Sequence, residues 1–220
     1  MTLTRIAALA AAAALPAAQA VIWFYAPEAQ SGIIQKIFYV HMPLAWWALV
    51  SFFVVFAASV VHLLRRTPGS DALAGAAAEV GVVFSGVSLL AGMFWAKVEW
   101  GAWWVWEPKL TTALIMWYIY AGYLVLRAAG VGGARRGVVC AVVGVIAFLD
   151  VPLVFFSAQL WGSVLHPVET ARSSAGMDPR MWHTVFANLG AFGLLWLALA
   201  LTRFKQLRDA ERLDALLARR

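Results

Sequence analysis

The stretch MPLAWWALVSFFVVFAASVVHLL, residues 42–64, runs for 23 residues without an aspartate, glutamate, lysine or arginine. A helix needs about 20 mostly apolar residues to cross the hydrocarbon core of a bilayer. Residues 42–64 therefore predict a transmembrane helix. Five further stretches are also mostly apolar: residues 6–26, 80–96, 110–126, 137–160 and 181–202. The sequence thus predicts an all-α integral membrane protein with six transmembrane helices.

The composition supports this class. Of the 220 residues, 63% are hydrophobic and 13% are charged, whereas a soluble domain has roughly 45–50% apolar residues. This excludes a soluble enzyme, a disordered chain and a nucleic-acid-binding domain, although the net charge is +6. The only cysteine, Cys140, excludes an internal disulfide.

The first stretch allows two interpretations. Arg5, an alanine-rich run and the sequence Ala18-Gln19-Ala20 imitate a signal peptide with its cleavage site. The apolar run continues through residues 21–25, however, and exceeds the usual core of about 7–15 residues. We expect a first helix that is retained rather than cleaved.

The basic residues predict the orientation, because lysine and arginine concentrate in cytoplasmic loops. With a cytoplasmic N-terminus, 12 of the 17 basic residues lie on the cytoplasmic side. The five on the other side are Lys36, Lys97, Lys109, Arg172 and Arg180. Both termini are therefore expected in the cytoplasm. The segment between the third and fourth helices is then expected on the outer face.

That outer segment is unusually rich in tryptophan, with five of the chain's 12 tryptophans between residues 95 and 106. In a helix, Trp100, Trp103, Trp104 and Glu107 would share one face. Such a plate could cover a flat, apolar macrocycle by stacking, but it could also be an ordinary interfacial belt. Nearby basic residues could pair with carboxylates of the macrocycle: Lys97, Lys109, Arg172 and Arg180.

The histidines are candidate metal ligands. His41 and His166 are both expected on the outer face, and each is followed within two residues by a proline that fixes the local backbone. Imidazole ligates iron, copper and zinc, and two axial imidazoles suffice for haem iron, although each histidine could instead be a polar anchor. His62 lies about 32 Å from His41 along the same helix, so they cannot share a site. His183 begins the sixth helix on the outer face.

Asp150 is an acid inside the fifth apolar stretch. Acids within the membrane are costly and are candidates for function. Asp150 lies two residues before Pro152, so a hydrogen-bonding role at a proline kink is an equal alternative.

Residues 100–115, WGAWWVWEPKLTTALI, resemble the tryptophan-rich WWD signature of haem-handling membrane proteins. The continuation LTTALI is similar to the cytochrome c maturation protein C family, also named haem exporter protein C. Residues 38–43 and 165–167 resemble the two histidine motifs of that family, and the resemblance covers essentially the whole chain. Glu107 stands where the signature commonly has aspartate.

The resemblance implies a non-enzymatic role in cytochrome c biogenesis at the bacterial inner membrane. The protein would bind haem b at the periplasmic face and deliver it to a periplasmic haem chaperone. The implied partners are an ABC-type ATPase, its membrane subunit and a small single-span membrane protein. His41 and His166 would be the axial ligands of the haem iron. The haem and chaperone platform would consist of Trp100, Trp103, Trp104, Trp106 and Glu107.

The same resemblance implies a haem-handling membrane domain over residues 1–203, with its signature at 100–112. The helical spacing of Leu207, Ala210, Leu213 and Leu217 predicts a cytoplasmic amphipathic tail over residues 204–220, on lipid or on a partner, with a solvated tail as the alternative. Two other functions are open: a permease subunit of an ABC exporter, for which Asp150 would matter, and a haem-free scaffold, for which the tail would matter.

Overall fold

A computed structural model describes residues 2–28, 32–130, 135–163, 165 and 178–217. These residues form an all-helical bundle. Its elements are α1 (Leu3–Phe24), a 3₁₀ helix (Ile33–Ile37), α2 (Phe38–Arg65), α3 (Pro68–Trp100), α4 (Pro108–Ala128), α5 (Arg136–Ala147), α6 (Asp150–Trp161) and α7 (Pro179–Leu217). Six helical segments of the described chain are long and apolar enough to cross a membrane, with α5 and α6 forming one of them. The prediction of six spanning helices is confirmed.

Helices α2 and α3 form the centre of the bundle. Helix α2 packs against α3, α5 and α7, while α4 packs on α3 and α1 packs on α7. The first half of α3 buries a run of small residues, which lets neighbouring helices approach closely: Ala72, Ala74, Gly75, Ala76, Ala77 and Ala78. At Gly81 a Cβ atom would lie 2.7 Å from the ring of Phe52. The α2–α3 contact therefore depends on glycine at that position.

The fifth span is broken between α5 and α6. The N–H of Leu149 donates to the carbonyl of Ile146, and the N–H of Val151 donates to the carbonyl of Phe148. These tight i→i+3 bonds replace α-helical ones, and Pro152 has no N–H to continue the ladder. The predicted interruption of this span is confirmed. Asp150 begins α6 and is buried, and its Oδ2 atom has no hydrogen-bond partner among the described residues.

Two helices are longer than their apolar stretches predicted. Helix α3 begins at Pro68 rather than near residue 80, because the Thr67 side chain accepts a hydrogen bond from the N–H of Ser70 and caps its first turn. Helix α7 does not end near residue 202 but continues to Leu217. The C-terminal tail is thus an extension of the last helix, as far as it is described. Its contact with lipid or with a partner stays a prediction.

The two ends of the bundle differ in chemistry. We call the end that carries residues 101–107 the tryptophan end, and the opposite end the arginine end. At the arginine end Arg127 holds Asp71 through two hydrogen bonds of 2.7 and 3.0 Å. Arg203 holds Glu79 in the same way, at 2.6 and 3.0 Å. These pairs tie α3 to α4 and to α7, and the cytoplasmic location of this end stays a prediction.

Candidate functional site

His41 lies at the tryptophan end, in the first turn of α2. The sequence placed it just before that helix, and this is wrong because the helix begins at Phe38, directly after the 3₁₀ helix. The Nδ1 atom of His41 lies 2.9 Å from the backbone oxygen of Ser88 on α3. A carbonyl oxygen can only accept, so Nδ1 carries the proton. If the imidazole is neutral, its lone pair is on Nε2, which is the common arrangement of a metal-ligating histidine.

The imidazole of His41 is held by one face of α3. Ser88, Gly92 and Trp95 share this face because they are four and three residues apart. A Cβ atom at Gly92 would lie 3.1 Å from Cε1 of His41, so the ring rests against bare backbone. The Trp95 ring meets the imidazole edge-on at 6.4 Å between centroids.

The tryptophan-rich segment is not helical. Helix α3 ends at Trp100, and Gly101 takes a left-handed conformation with φ of 72°. Residues 101–107 then run without regular structure until Pro108 begins α4. Trp100, Trp103, Trp104 and Glu107 would share one face only in a continuous helix, and that condition is not met. The physical reason is the pair of boundary residues, since glycine favours the position after a helix and proline its first turn.

The tryptophans of this segment form a surface in another way. The Trp103 ring contacts Phe94 edge-on at 5.4 Å, and the rings of Trp104 and Trp106 meet edge-on at 5.7 Å. Trp106 is 74% exposed, whereas Nε1 of Trp104 is buried without a hydrogen-bond partner among the described residues. The segment therefore presents large aromatic area outward.

Glu107 joins two helices at this end. Its side chain is buried and accepts a hydrogen bond from the Ser163 hydroxyl, two residues after α6. Its backbone oxygen accepts a bond of 2.9 Å from the N–H of Thr111. Glu107 is thus the residue that caps the start of α4. Pro108 is the first residue of that helix.

The basic residues predicted to pair with the carboxylates of a macrocycle have different surroundings. Lys97 donates to the backbone oxygen of Gly101 at 2.9 Å, and Lys109 is exposed. Arg180 pairs with Asp178 at 2.9 Å. The side chain and the backbone N–H of Arg180 both donate to this carboxylate and lower the pKa of Asp178. Arg180 is therefore already engaged with an acid.

His166 and Arg172 lie outside the described residues, so their predicted roles stay predictions. His183 lies at the tryptophan end, where its Nδ1 is 2.9 Å from the hydroxyl of Tyr25 and the two rings stack. His62 lies at the arginine end, with Nδ1 3.1 Å from the backbone oxygen of Thr67. The prediction that His62 and His41 are at opposite ends of α2 is confirmed.

Sequence reasoning missed the residues that hold the candidate groups. Ser88, Gly92 and Trp95 support His41, and Ser163 supports Glu107. The spacing of the first three indicates a common helix face, but it does not say which residue that face contacts. No sequence motif indicated a role for Ser163.

The comparison with known proteins decides the family. The family model described as Heme exporter protein C matches residues 1–218. The chain belongs to this family. The resemblance found from the tryptophan and histidine motifs is thereby confirmed.

Relatives that carry the same name match over most of their length. The heme exporter protein C of Rhodobacter capsulatus is 33% identical over 215 residues, covering 94% of this chain and 87% of the relative. That of Paracoccus denitrificans is 33% identical over 206 residues, or 90% and 84% of the two chains. That of Escherichia coli K12 is 29% identical over 189 residues, or 84% and 76%. With six membrane-capable helices, the chain is a multi-pass membrane protein of the heme exporter protein C family.

Proposed function

We propose that this protein binds haem b at the tryptophan end and delivers it to a periplasmic haem chaperone during cytochrome c biogenesis. Haem is its cargo, and the protein is not itself an enzyme. The observation that carries the proposal is the 2.9 Å contact between Nδ1 of His41 and the backbone oxygen of Ser88. Together with membership of a family named for haem export, it favours iron as the partner of Nε2.

The donor set fits haem iron. His41 and His166 would each supply an imidazole nitrogen to the haem iron. The Ser88 carbonyl fixes the tautomer and orientation of His41, which raises the basicity of the ligating nitrogen. Lys97, Lys109, Arg172 and Arg180 remain candidates for the haem carboxylates, although Arg180 would have to exchange its Asp178 partner.

The aromatic segment fits the cargo and its recipient. Trp103 and Trp106 are exposed, and Trp104 lies between them with a buried Nε1. Aromatic rings favour a flat apolar ligand by stacking and by the area that they bury. Tryptophan is also enriched where proteins contact one another. Trp100, Trp103, Trp104, Trp106 and Glu107 would therefore serve both haem and chaperone.

The location and the partners follow from charge and resemblance. The excess of lysine and arginine at the arginine end supports a cytoplasmic location for that end, so the tryptophan end would face the periplasm of a bacterial inner membrane. The protein would work beside an ABC-type ATPase, its membrane subunit and a small single-span membrane protein.

The test is a visible absorption spectrum of the purified protein, oxidised and reduced. Wild type is expected to show a b-type haem with two histidine ligands. His41→Ala and His166→Ala should each weaken the bound haem or change its ligation, and His62→Ala is the control, because it lies at the arginine end. Equal spectra for all three variants would overturn the ligand assignment.

A permease role is the second candidate, because Asp150 is buried at a break in a spanning helix. Broken helices and intramembrane acids occur at the substrate sites of transporters. Transport that survives deletion of residues 100–106 but is lost in Asp150→Asn would favour it over haem delivery.

A further inference from the structure

We propose that haem reaches His41 sideways from the bilayer, through a groove between α1, the 3₁₀ helix and α3 at the tryptophan end. The proposal rests on the proposed haem-binding function. The groove has a volume of about 530 Å³, which lies within the range of roughly 300–1,000 Å³ for small-molecule sites. Residues that line it include Gln19, Trp23, Ile34, Lys36, Ala91 and Phe94.

The groove borders the candidate haem site. Val40 and Ala91 line the groove, and each directly precedes a residue of the site, namely His41 and Gly92. Gly92 contacts the imidazole closely enough that a Cβ atom there would lie 3.1 Å from Cε1 of His41. On α3 the groove residues Ala91 and Phe94 are the chain neighbours of Gly92 and Trp95, so the two surfaces adjoin along the helix.

The groove also borders the tryptophan segment. Phe94 lines it and contacts the ring of Trp103 edge-on at 5.4 Å. A flat apolar molecule that moved along the groove would therefore meet the aromatic platform and the histidine together.

The charge of the groove matches the cargo. Its walls are apolar except for Gln19 and Lys36. The Lys36 ammonium lies 4.8 Å from the centre of the Trp23 ring and donates to the Trp23 backbone oxygen. An apolar groove with one cation suits a flat hydrocarbon ring that carries carboxylates. The apolar walls would contact the ring, and the lysine ammonium would donate to a carboxylate at the edge of the ring.

A second groove in the bundle differs from the first in its lining. It lies between α2 and α6, has a volume of about 320 Å³ and is lined by apolar residues such as Leu49, Phe53 and Phe156. That lining contains no charged residue, which suits an acyl chain. The larger groove differs in its lysine and in its position beside the turn of α2 that carries His41, and both features favour haem over lipid.

The experiment measures haem loading in a bilayer. Haemin is added to the haem-free protein in phosphatidylcholine vesicles, and the absorbance change of ligation is followed in time. Ile34→Trp fills the groove and should slow loading by about tenfold, while the final spectrum stays that of wild type. Leu49→Trp makes a similar change in the second groove and should load at the wild-type rate.

A second comparison tests Lys36 without filling the groove. Wild type should load haemin faster than its dimethyl ester, which lacks the carboxylates. Lys36→Gln should remove that difference.

The outcomes separate the two proposals. Wild-type loading rates in Ile34→Trp, or equal slowing in Leu49→Trp, would overturn the entry route and leave haem binding intact. A changed final spectrum in Ile34→Trp would also overturn it, because that residue would then act at the iron. If wild type itself acquires no haem spectrum, both the entry route and the proposed function fail.

Discussion

The Nδ1 atom of His41 on α2 lies 2.9 Å from the backbone oxygen of Ser88 on α3, 47 residues further along the chain. This contact decides which ring nitrogen carries the proton. It also means that the orientation of His41 depends on how closely α2 and α3 approach, so changes in the α3 backbone should act on the haem site.

Gly92→Val should weaken haem binding by about tenfold, which corresponds to about 1.4 kcal/mol. The added Cβ would lie 3.1 Å from Cε1 of His41 and would displace the imidazole from its present position. A haem titration followed by absorbance measures this. Gly122→Val is the control, because a Cβ there has no neighbour within 4 Å, and equal affinities would contradict the role of Gly92.

Gly193→Ala and Gly190→Ala, three residues apart on α7, should change the free energy of unfolding in opposite directions. A Cβ at Gly193 would lie 2.5 Å from the Trp47 ring, and such overpacking typically costs about 1–3 kcal/mol. A Cβ at Gly190 meets nothing within 4 Å, and alanine stabilises a helix interior by roughly 0.5–1 kcal/mol. Thermal unfolding in detergent compares the two, and equal melting temperatures would refute the close α2–α7 contact.

Asp71→Ala should strongly destabilise the protein. The carboxylate and the Arg127 guanidinium are both buried, with side-chain exposures of 8% and 13%, and removing one partner of such a pair typically costs about 3–5 kcal/mol. Asp209→Ala breaks an exposed pair with Arg212 and should cost less than about 1 kcal/mol. Chemical denaturation of both variants tests this, and a similar loss in each would mean that burial does not decide the effect.

Glu107→Ala should loosen the tryptophan segment while the bundle stays folded. It removes the Glu107 acceptor of the part-buried hydrogen bond from the Ser163 hydroxyl, and a typical hydrogen bond contributes about 0.5–1.5 kcal/mol. Amide hydrogen exchange should rise across residues 101–107. Glu99→Ala, at an exposed position of α3, should leave this exchange unchanged. Unaltered exchange in Glu107→Ala would show that the Ser163 contact does not hold the segment.

The spans were predictable because each is a long apolar run, and length alone separates a membrane helix from a buried one. The break in the fifth span was predictable from Asp150 and Pro152. The extension of α3 back to Pro68 was not, because Ser70 and Asp71 interrupt the hydropathy. Asp71 is buried there in ion pairs with Arg127 and Arg136, which are 56 and 65 residues further along the chain.

The aromatic segment shows what could not be predicted from the sequence. Its composition indicated a surface for a flat ligand, but the helical periodicity of its tryptophans suggested a helix that does not exist. Two short-range signals, Gly101 and Pro108, outweighed that periodicity.

By itself, the sequence determined that the chain has six apolar stretches long enough to cross a membrane, that His41 and His62 are far apart, and that it resembles its family. The length of an apolar stretch and the distance along a helix depend only on consecutive residues, so both can be predicted from the sequence. The tertiary structure alone decided that the Ser88 oxygen contacts His41, that Ser163 holds Glu107, and that Lys36 lines the same groove as Val40, the residue before His41. Each of these joins residues from different helices, and only the packing of the bundle brings them within contact distance.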